Sequence, residues 1–319
     1  MTDGPFPVDL IGDVHGHAAE LVDLLTALGY RRAAGGGFAH PAGRRAIFVG
    51  DLIDRGPRIA ETLDIVRAME AAGSARVVLG NHELNALCFQ VADPAAPGEA
   101  LRRHTARNVE HHAATLRQLD ERSLAEALDW FRSLPFSLDG EAFRVVHACW
   151  DDREQVVIRR GLEIHGGITD GFLVAACQQE TPLCEALENA LKGREMRLPR
   201  GSSFVDPHGV RRFRARARWF ADPWGATVRR YSFPEIESLP DRPVAPAVVA
   251  GARPYPQGAP PVFFGHYWLD PRREPLAPQA ANVACLDFSV ARGGLLCAYR
   301  FDGPGPLAAE RFVAVPARS

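Results

Sequence analysis

The sequence contains no long apolar run. Its first residues, MTDGPFPVDLIGDVHG, do not show a basic stretch followed by a long hydrophobic one, which is the pattern of an export signal. No later run reaches the roughly 18 apolar residues that a membrane-spanning helix needs. We therefore expect a cytoplasmic protein with no membrane partner.

An excess of either charge and a cysteine framework are also absent. The chain has 37 basic and 39 acidic side chains, for a formal net charge of -2. This balance gives no reason to expect specific nucleic-acid binding, so any anionic substrate must be attracted by local charge. The six cysteines are scattered and form no CxxC pair, which indicates free thiols in a reducing compartment. The sequence carries no signal for an oligomeric state.

The N-terminal part repeats a strand, a polar turn and a helix three times. Apolar strands are predicted at residues 8–11, 46–49 and 75–79, and helices begin near residues 17, 59 and 84. Such units in series predict an α/β fold with a doubly wound sheet that helices cover. Because polar residues after such strands converge on one rim of the sheet, Asp13, Asp51 and Asn81 are expected to be neighbours.

The rest of the chain divides into a helical part, an irregular part and a final hairpin. Residues 101–134 have an amphipathic helical pattern, and residues 143–146 form a strand. Residues 151–261 are rich in Gly, Pro and Arg without a further strand-turn-helix unit, so we interpret them as an inserted cap. The core would then comprise residues 1–150 and 262–319. Strands at 283–288 and 295–301 would pair as a hairpin.

Five polar motifs follow apolar strands. They are GDVHG (12–16), GDLIDRG (50–56), GNHE (80–83), VVHA (145–148) and FGHY (264–267). One such motif alone could equally cap a helix or accept backbone hydrogen bonds. Five together supply carboxylate, imidazole and amide donors, a set that suits a pair of divalent metal ions. The glycines before the expected ligands let the backbone approach the site closely.

These motifs resemble those of the calcineurin-type metallophosphoesterase superfamily, and within it the phosphoprotein-phosphatase branch, which includes bacterial diadenosine tetraphosphate hydrolases. The resemblance implies an α/β fold with a metallophosphoesterase-like β-sandwich core (αββα layers) and an inserted cap. Residues 29–57 and the bulky Tyr267 after the last Gly-His are similar to the tetraphosphate hydrolases, whereas Asp54 fits the phosphatase pattern. Both substrate classes therefore stay open.

The resemblance also implies two divalent metal ions. Six residues match the family's ligand positions: Asp13 and His15 for the first metal, Asp51 as the bridge, and Asn81, His147 and His266 for the second. Two neighbouring cations need a shared anion, and a carboxylate offers two oxygens. Oxygen and imidazole ligands suit manganese, which we expect here, and also iron, zinc or nickel. A water molecule between the metals would be the nucleophile.

The matched motifs further imply catalytic side chains. His82 would protonate the leaving oxygen, and Asp54 would orient His82. Arg55 would hold phosphate oxygens, because its planar guanidinium matches their geometry. Asn81 would also contact the substrate. The alternatives are a surface ion pair for Arg55 and a plain helix-start residue for His82.

A run of alternating arginines marks the cap. Residues 210–220 read VRRFRARARWF, so a strand there would have one basic face. We expect Arg216 and Arg218 to overhang the metals and bind further phosphates, and the alternative is a solvated face with salt bridges. Other histidines lack spaced partners and are expected at the surface: His17, His40, His104, His111, His112 and His165.

Taken with the resemblance, the sequence predicts a binuclear metal-dependent phosphoesterase. It would hydrolyse phosphate monoesters or anhydrides, and its substrate would be a dinucleoside polyphosphate or a phosphoprotein. Two alternatives remain: a non-catalytic scaffold that binds metal or phosphate, and a phosphatase for RNA ends or small metabolites.

Overall fold

The structure is a computed structural model and describes residues 7–206 and 209–318. The strands are β1 (Val8–Ile11), β2 (Arg31–Arg32), β3 (Phe38–Ala39), β4 (Arg45–Phe48), β5 (Ala75–Val77), β6 (Ser137–Asp139), β7 (Arg144–Val146), β8 (Glu195–Arg197), β9 (Phe204–Val205), β10 (Arg211–Arg212), β11 (Arg214–Arg216), β12 (Val262–Phe264), β13 (Val283–Cys285), β14 (Asp287–Phe288), β15 (Leu295–Phe301) and β16 (Phe312–Pro316). The α-helices are α1 (Ala18–Ala27), α2 (Ile59–Ala71), α3 (Asn81–Gln90), α4 (Ala106–Gln118), α5 (Glu121–Phe131), α6 (Asp152–His165), α7 (Asp170–Cys177), α8 (Pro182–Lys192), α9 (Val228–Tyr231) and α10 (Pro246–Gly251). Short 3-10 turns lie at Val290–Arg292 and Ala309–Arg311.

Two mixed sheets form the centre of the molecule. The first has the strand order β14-β15-β1-β4-β5, and β16 pairs with β15. In it, β1, β4 and β5 are parallel, while β15 runs antiparallel to β1. The second sheet has the order β13-β12-β7-β6, with β7, β12 and β13 parallel and β6 antiparallel to β7.

Alternate residues of the strands face two different layers. Leu10 and Ile47 of the first sheet and Val145 and Phe263 of the second pack in one buried cluster between the sheets. Their neighbours in sequence, such as Phe48, face a larger cluster that includes the helices. This alternation follows from the two-residue period of a strand. The molecule is therefore a β-sandwich with helices outside, and the metallophosphoesterase-like core expected from the resemblance is confirmed.

The single doubly wound sheet predicted from the three repeated units is wrong. Strands of a doubly wound sheet are buried on both faces, and so are strands that pack between helices and a second sheet. Both arrangements give the same short apolar runs, so the sequence pattern does not separate them.

Two other local predictions need correction. The final hairpin is split, because β13 joins the second sheet and only β14 pairs with β15. Residues 101–134 contain two helices, α4 and α5, which are separated at Leu119 and Asp120. Each helix has its own N-cap, since the side chains of Thr105 and Asp120 accept hydrogen bonds from backbone N–H groups.

The stretch of residues 151–261, called the insertion below, leaves the second sheet after β7 and returns in β12. Its first part is the three helices α6, α7 and α8, which contribute Ile158, Phe172 and Leu187 to the main core. Its second part has a small core of its own around Met196, Ala215 and other residues. In the part of the chain that the structure describes, no helix is long and apolar enough to cross a membrane.

The strand predicted at residues 210–220 is broken. β10 pairs with β9, whereas β11 pairs with β8, and the pairing of β11 ends at Arg216. Phe213 lies at the break and is 62% exposed. Arg214 and Arg216 still alternate with the buried Ala215 on β11, whereas Arg218 lies beyond the end of this strand.

Candidate active site

Five strand ends of the two sheets meet at one place. The ends of β1, β4, β5, β7 and β12 are followed by six buried side chains: Asp13, His15, Asp51, Asn81, His147 and His266. Parallel strands carry their C-terminal ends to the same edge of a sheet, so two facing sheets bring both sets together. The structure thus places all six expected ligands around one point.

The loops at these strand ends hold several residues in the left-handed backbone conformation. The backbone angle φ is 45° at His15, 52° at Asp51, 67° at Asp54, 69° at Arg55 and 73° at His266. Each such non-glycine residue costs about 1–3 kcal/mol and persists only where its surroundings fix it. Their concentration here is typical of a functional site.

Two glycines permit the close approach of these loops. A Cβ on Gly80 would lie 2.3 Å from the Oδ1 atom of Asp51, and one on Gly265 would lie 1.8 Å from Oδ1 of Asp13. Neither distance is possible between non-bonded atoms. The sequence argument for glycines before the ligands therefore has a direct steric basis at these two positions.

Asp51 is shared by two groups of donor atoms. Its Oδ2 lies 3.6 Å from Nε2 of His15 and 3.9 Å from Nε2 of His82. Its Oδ1 lies 3.3 Å from Nε2 of His147, and His266 completes that group. Within each group the donor atoms lie within 4.8 Å of one another. Ligands about 2.0–2.2 Å from one ion are roughly 3–4 Å apart, so each group can surround a metal ion.

The hydrogen bonds of the rings direct their Nε2 atoms to the site. His15 donates from Nδ1 to the carbonyl of Ile53, and His147 donates from Nδ1 to the carbonyl of Val49, both at 2.8 Å. A neutral ring with its proton on Nδ1 presents a lone pair on Nε2, which is the usual arrangement of a metal-binding histidine.

Three buried atoms at this place have no hydrogen-bond partner among the described residues. They are Oδ1 of Asp13 and the Nε2 atoms of His15 and His266. Buried polar atoms without partners are uncommon because they lose the hydrogen bonds of water. Each of the three is of an atom type that binds metal ions, so the donor set fits the two ions that the motifs imply.

The charges of the ligands fit this interpretation. Burial, together with His82, lowers the pKa of His15 well below its usual value, and burial does the same for His266. Burial also lowers the pKa of His147, but the carboxylate of Asp51 outweighs it and raises that pKa to about 10. The pKa of Asp51 is correspondingly held well below its usual value, against the effect of burial, by His147 and His82. A cation would replace the His147 proton as the partner of Asp51.

Asp13 and Asn81 border the second group. Oδ2 of Asp13 accepts a hydrogen bond from the backbone N–H of His266 at 3.0 Å. Burial and the nearby Asp287 raise the pKa of Asp13. The amide of Asn81 lies 3.1 Å from Nε2 of His147 and, after rotation of the amide, 2.6 Å from Nδ1 of His266.

His82 and Asp54 form a hydrogen-bonded pair beside the first group. His82 donates from Nδ1 to Oδ2 of Asp54 at 2.5 Å. Its Nε2 faces Asp51 and lies 3.5 Å from Nη2 of Arg55. Because a metal ion on this nitrogen would sit against a guanidinium, the position favours proton donation by His82 over metal binding.

His112 is the partner of Asp54 that sequence reasoning missed. It is 3% exposed, so the prediction of a surface histidine is wrong. It donates from Nδ1 to Oδ1 of Asp54 at 2.8 Å, and the hydroxyl of Thr115 donates to the same oxygen. His111 and His112 are neighbours on a helix and point about 100° apart, so only His112 faces the core. His104 is exposed as expected, and His17, His40, His111 and His165 are half-buried.

Glu83, the last residue of the GNHE motif, connects two of the loops. It is fully buried, and its carboxylate accepts hydrogen bonds from the backbone N–H groups of Gly80, Asp51 and Leu52 at 2.8–2.9 Å. This fixes the turn after β4 against the start of α3. Glu83 stands three residues after Gly80, at position N3 of the helix, and this spacing is the sequence signature of a capping box. The spacing could therefore have identified Glu83 from the sequence.

Arg55 lies on an aromatic ring at the rim of the site. Its guanidinium carbon is 3.9 Å from the ring centroid of Trp268, and that of Arg292 is 4.0 Å from the same centroid. Among the described residues no carboxylate lies within ion-pair distance of Arg55. Stacking on Trp268 orients this cation while leaving its N–H groups for a ligand.

A cavity of about 400 Å³ opens over these groups. Two carboxylates, Asp51 and Asp54, and six cationic residues line it: Arg55, Arg102, Arg107, Lys192, Arg212 and Arg216. Arg216 also lies 5.7 Å from the ring centroid of Tyr267. Arg218 is not among the lining residues, since its guanidinium packs over Phe220 and Phe233.

Comparisons with known proteins agree with this geometry. The sequence profile described as calcineurin-like phosphoesterase matches residues 6–233. A bis(5'-nucleosyl)-tetraphosphatase PrpE [asymmetrical] of Geobacillus sp. is 45% identical over 75 residues, which is 24% of this chain and 30% of that protein. A symmetrical bis(5'-nucleosyl)-tetraphosphatase of Janthinobacterium sp. is 33% identical over 158 residues, 48% of each chain.

The matched regions thus span about a third to a half of the length of these relatives. Among solved structures, a protein serine/threonine phosphatase from Saccharomyces cerevisiae aligns with a TM-score of 0.48 at 12% identity, over 98% of this chain and 80% of that one. At that TM-score the alignment adds nothing to the assignment. The profile match covers well over half of the chain, so the protein belongs to the calcineurin-like phosphoesterase family.

Proposed function

We propose that the protein is a metal-dependent hydrolase of phosphate esters or anhydrides that uses two divalent ions. The observation that supports this most directly is the carboxylate of Asp51, which is shared by two groups of donor atoms, each with one unpartnered histidine nitrogen. His15 and Asp13 would hold one ion, and Asn81, His147 and His266 the other. When bound, the ions would activate water and offset charge on the phosphate oxygens, and manganese is the ion we expect.

The side chains around the ions divide the remaining work. His82 carries its available nitrogen, Nε2, towards the site while Asp54 holds the other ring nitrogen. Asp51 and Asp54 raise the pKa of His82 against the effect of burial, which suits a proton donor near neutral pH. Arg55, oriented by Trp268, would hold the phosphate oxygens in place for the reaction.

The cavity favours a substrate with several phosphate groups. Among the described residues Arg55, Arg107 and Arg216 have no carboxylate within ion-pair distance, and Arg102 donates to the side-chain amide oxygen of Asn85. Unpaired cations in one cavity attract a polyanion, and the two sequence relatives named above are bis(5'-nucleosyl)-tetraphosphatases. We therefore propose a dinucleoside polyphosphate as the substrate class. The insertion would act as a cap that supplies Lys192, Arg212 and Arg216.

A substrate panel tests this proposal. It contains an aryl phosphate, diadenosine tetraphosphate and a phosphopeptide, each assayed with manganese and with other divalent ions. We expect turnover of the aryl phosphate and of diadenosine tetraphosphate, with the highest kcat/KM of the panel for the tetraphosphate. A higher kcat/KM for the phosphopeptide would refute the dinucleoside polyphosphate as the substrate class and favour a phosphoprotein. Full metal occupancy without activity on any member of the panel would indicate a binding scaffold.

Two variants give this experiment its controls. Asp51→Asn should lose metal and nearly all turnover, because a neutral amide does not bridge two cations. Arg107→Gln should lower kcat/KM for the tetraphosphate on the order of tenfold, the value of one charge-assisted contact, but leave the aryl phosphate unchanged. Arg117→Gln, an exposed position on the same helix, is the matched control.

A further inference from the structure

Asp54 is held on both of its oxygens. Oδ2 accepts from His82, whereas Oδ1 accepts from Nδ1 of His112 at 2.8 Å and from the hydroxyl of Thr115 at 2.5 Å. His112 and Thr115 stand three residues apart on α4, so one face of this helix supplies both donors. The position of the His82 partner is therefore determined by α4.

We propose that His112 is a positioning residue of the reaction: it fixes the carboxylate of Asp54, and through it the orientation of His82 towards the leaving oxygen. The inference rests on the proposed function, in which His82 is the proton donor. His112 lines the same cavity, but its hydrogen bond is to Oδ1 of Asp54, the oxygen that His82 does not contact, so we assign it a role that acts through Asp54.

A packing role alone does not explain a histidine here. The ring is 3% exposed and its Nε2 has no hydrogen-bond partner among the described residues, so an apolar ring would save the cost of burying a polar group. The aromatic ring of Phe89 lies 5.3 Å from the His112 ring, which provides an apolar neighbour for such a replacement. What only a nitrogen donor supplies at this place is the hydrogen bond to Asp54.

Substitution by two residues separates the hydrogen bond from the packing. His112→Phe keeps an aromatic ring but removes the donor, and His112→Asn keeps an N–H group at nearly the position of Nδ1. With metal bound, we expect His112→Phe to lower turnover of an alkyl phosphate about 10- to 100-fold, part of the 10²–10⁴ that a general acid contributes. Turnover of an activated aryl phosphate should fall less than threefold, and His112→Asn should restore most of the loss.

The possible results distinguish a failure of the positioning role from a failure of the proposed function. Equal losses on both esters, or an Asn variant no better than the Phe variant, would remove His112 from the positioning role. If His112→Phe does not fold, Thr115→Val removes the other hydrogen bond to Oδ1 of Asp54. The losses on the alkyl and the aryl phosphate are then compared in the same way. Wild-type protein that hydrolyses neither ester would refute the proposed function instead, so the two failures are distinguishable.

A different observation concerns two thiols remote from these groups. Sγ of Cys88, on α3, lies 3.6 Å from Sγ of Cys177, at the end of α7. All six cysteines are free thiols, as the sequence predicts. Cys177 is half-buried and Cys88 is buried, so Cys177 is the more exposed residue of the pair.

The geometry points to Cys88 and Cys177 as a site of reversible oxidation by peroxides. The thiolate of Cys177 would attack one peroxide oxygen, giving a sulfenic acid and releasing water or an alcohol. The Cys88 thiol would then displace water from that sulfur, so that one peroxide takes up the two electrons and two protons of both thiols. Cys177 is the more exposed of the two cysteines, which assigns the attacking role to Cys177.

The bond would join α3, whose first turn carries Asn81 and His82, to the insertion. Hydrogen peroxide and peptide mapping test it, with thiols counted after unfolding. We expect the number of free thiols to fall from six to four, a Cys88–Cys177 cross-link, and recovery with dithiothreitol. Cys177→Ser should abolish the cross-link and Cys184→Ser should not. Six thiols remaining, a cross-link to Cys184, or oxidation only to sulfinic acid would each overturn the inference.

Discussion

Adding one methyl group at Gly265 should displace the proposed metal ligand Asp13 without touching the metal. The new Cβ would lie 1.8 Å from Oδ1 of Asp13 and 2.8 Å from Cγ2 of Val49, so the carboxylate must move by more than 1 Å. The backbone conformation of Gly265 is not left-handed, so the effect is purely steric. Gly265→Ala therefore tests whether the position of Asp13 matters to the ions.

The magnitude follows from two separate terms. Overpacking a well-packed place costs about 1–3 kcal/mol of folding free energy. At roughly 2–4 °C per kcal/mol for domains of this size class, the midpoint of thermal unfolding should fall by a few degrees without metal. Disturbing the surroundings of a ligand typically costs 10–100-fold in metal affinity, and we expect at least this for Asp13, with a further loss of stabilisation by metal.

Metal titration by calorimetry and thermal unfolding with and without manganese measure both terms. Gly251→Ala is the matched control, because a Cβ there meets no atom within 4 Å. Combining Gly265→Ala with Asp13→Asn should give little more loss than either change alone, since both act on one carboxylate. Wild-type affinity in Gly265→Ala, or fully additive losses in the double variant, would refute the assignment of Asp13.

Four further predictions address the same site. His82→Asn should keep both ions bound, as metal analysis would show, but slow alkyl phosphates far more than aryl phosphates, and loss of an ion would make His82 a ligand. Asp51 retains a proton on His147 at pH 7, and metal binding should release this proton. Calorimetry in buffers of different ionisation enthalpy should detect the released proton. For the same reason, the affinity for metal should rise as the pH approaches about 10. The effect of pH on the stability of the metal-free protein runs in the opposite direction. Protonated His147 stabilises the folded state fully below about pH 6.5, and this stabilisation is lost as the pH rises through about 10. Unfolding of the metal-free protein at several pH values would measure it. Glu83→Gln should cost about 1–3 kcal/mol of unfolding free energy, because an amide group would face three backbone N–H donors; an unchanged denaturant midpoint would contradict this.

The motifs of the candidate site could be found in the sequence because each follows an apolar strand at a short distance, and strand and turn are local features. The ligand roles of Asp13, Asp51 and His266 were then implied by the resemblance to the metallophosphoesterases. The pairing of the two sheets was not local. Phe48 and Ile47 are equally apolar, although one faces helices and the other faces the second sheet.

The partners of the catalytic groups were hidden for the same reason. His112 lies 58 residues from Asp54, and only the docking of α4 brings them together. The alternating pattern predicts that Arg216 and Arg218 lie on the same face of one strand. This prediction requires a strand that continues through both residues. β11 ends at Arg216, and after it the chain turns to place Arg218 over aromatic rings.

The insertion begins and ends at neighbouring strands. β7 and β12 are paired in parallel, and the backbone N–H of Gly265 donates to the carbonyl of His147 at 2.8 Å, so two ligand-bearing segments are joined where the chain departs and returns. Closing a flexible excursion of twice the length would cost only about 0.6 kcal/mol more. The helices α6, α7 and α8 bury Ile158, Phe172 and Leu187 in the main core, so a change in the length of the insertion would leave the reaction centre in place only if these contacts were kept.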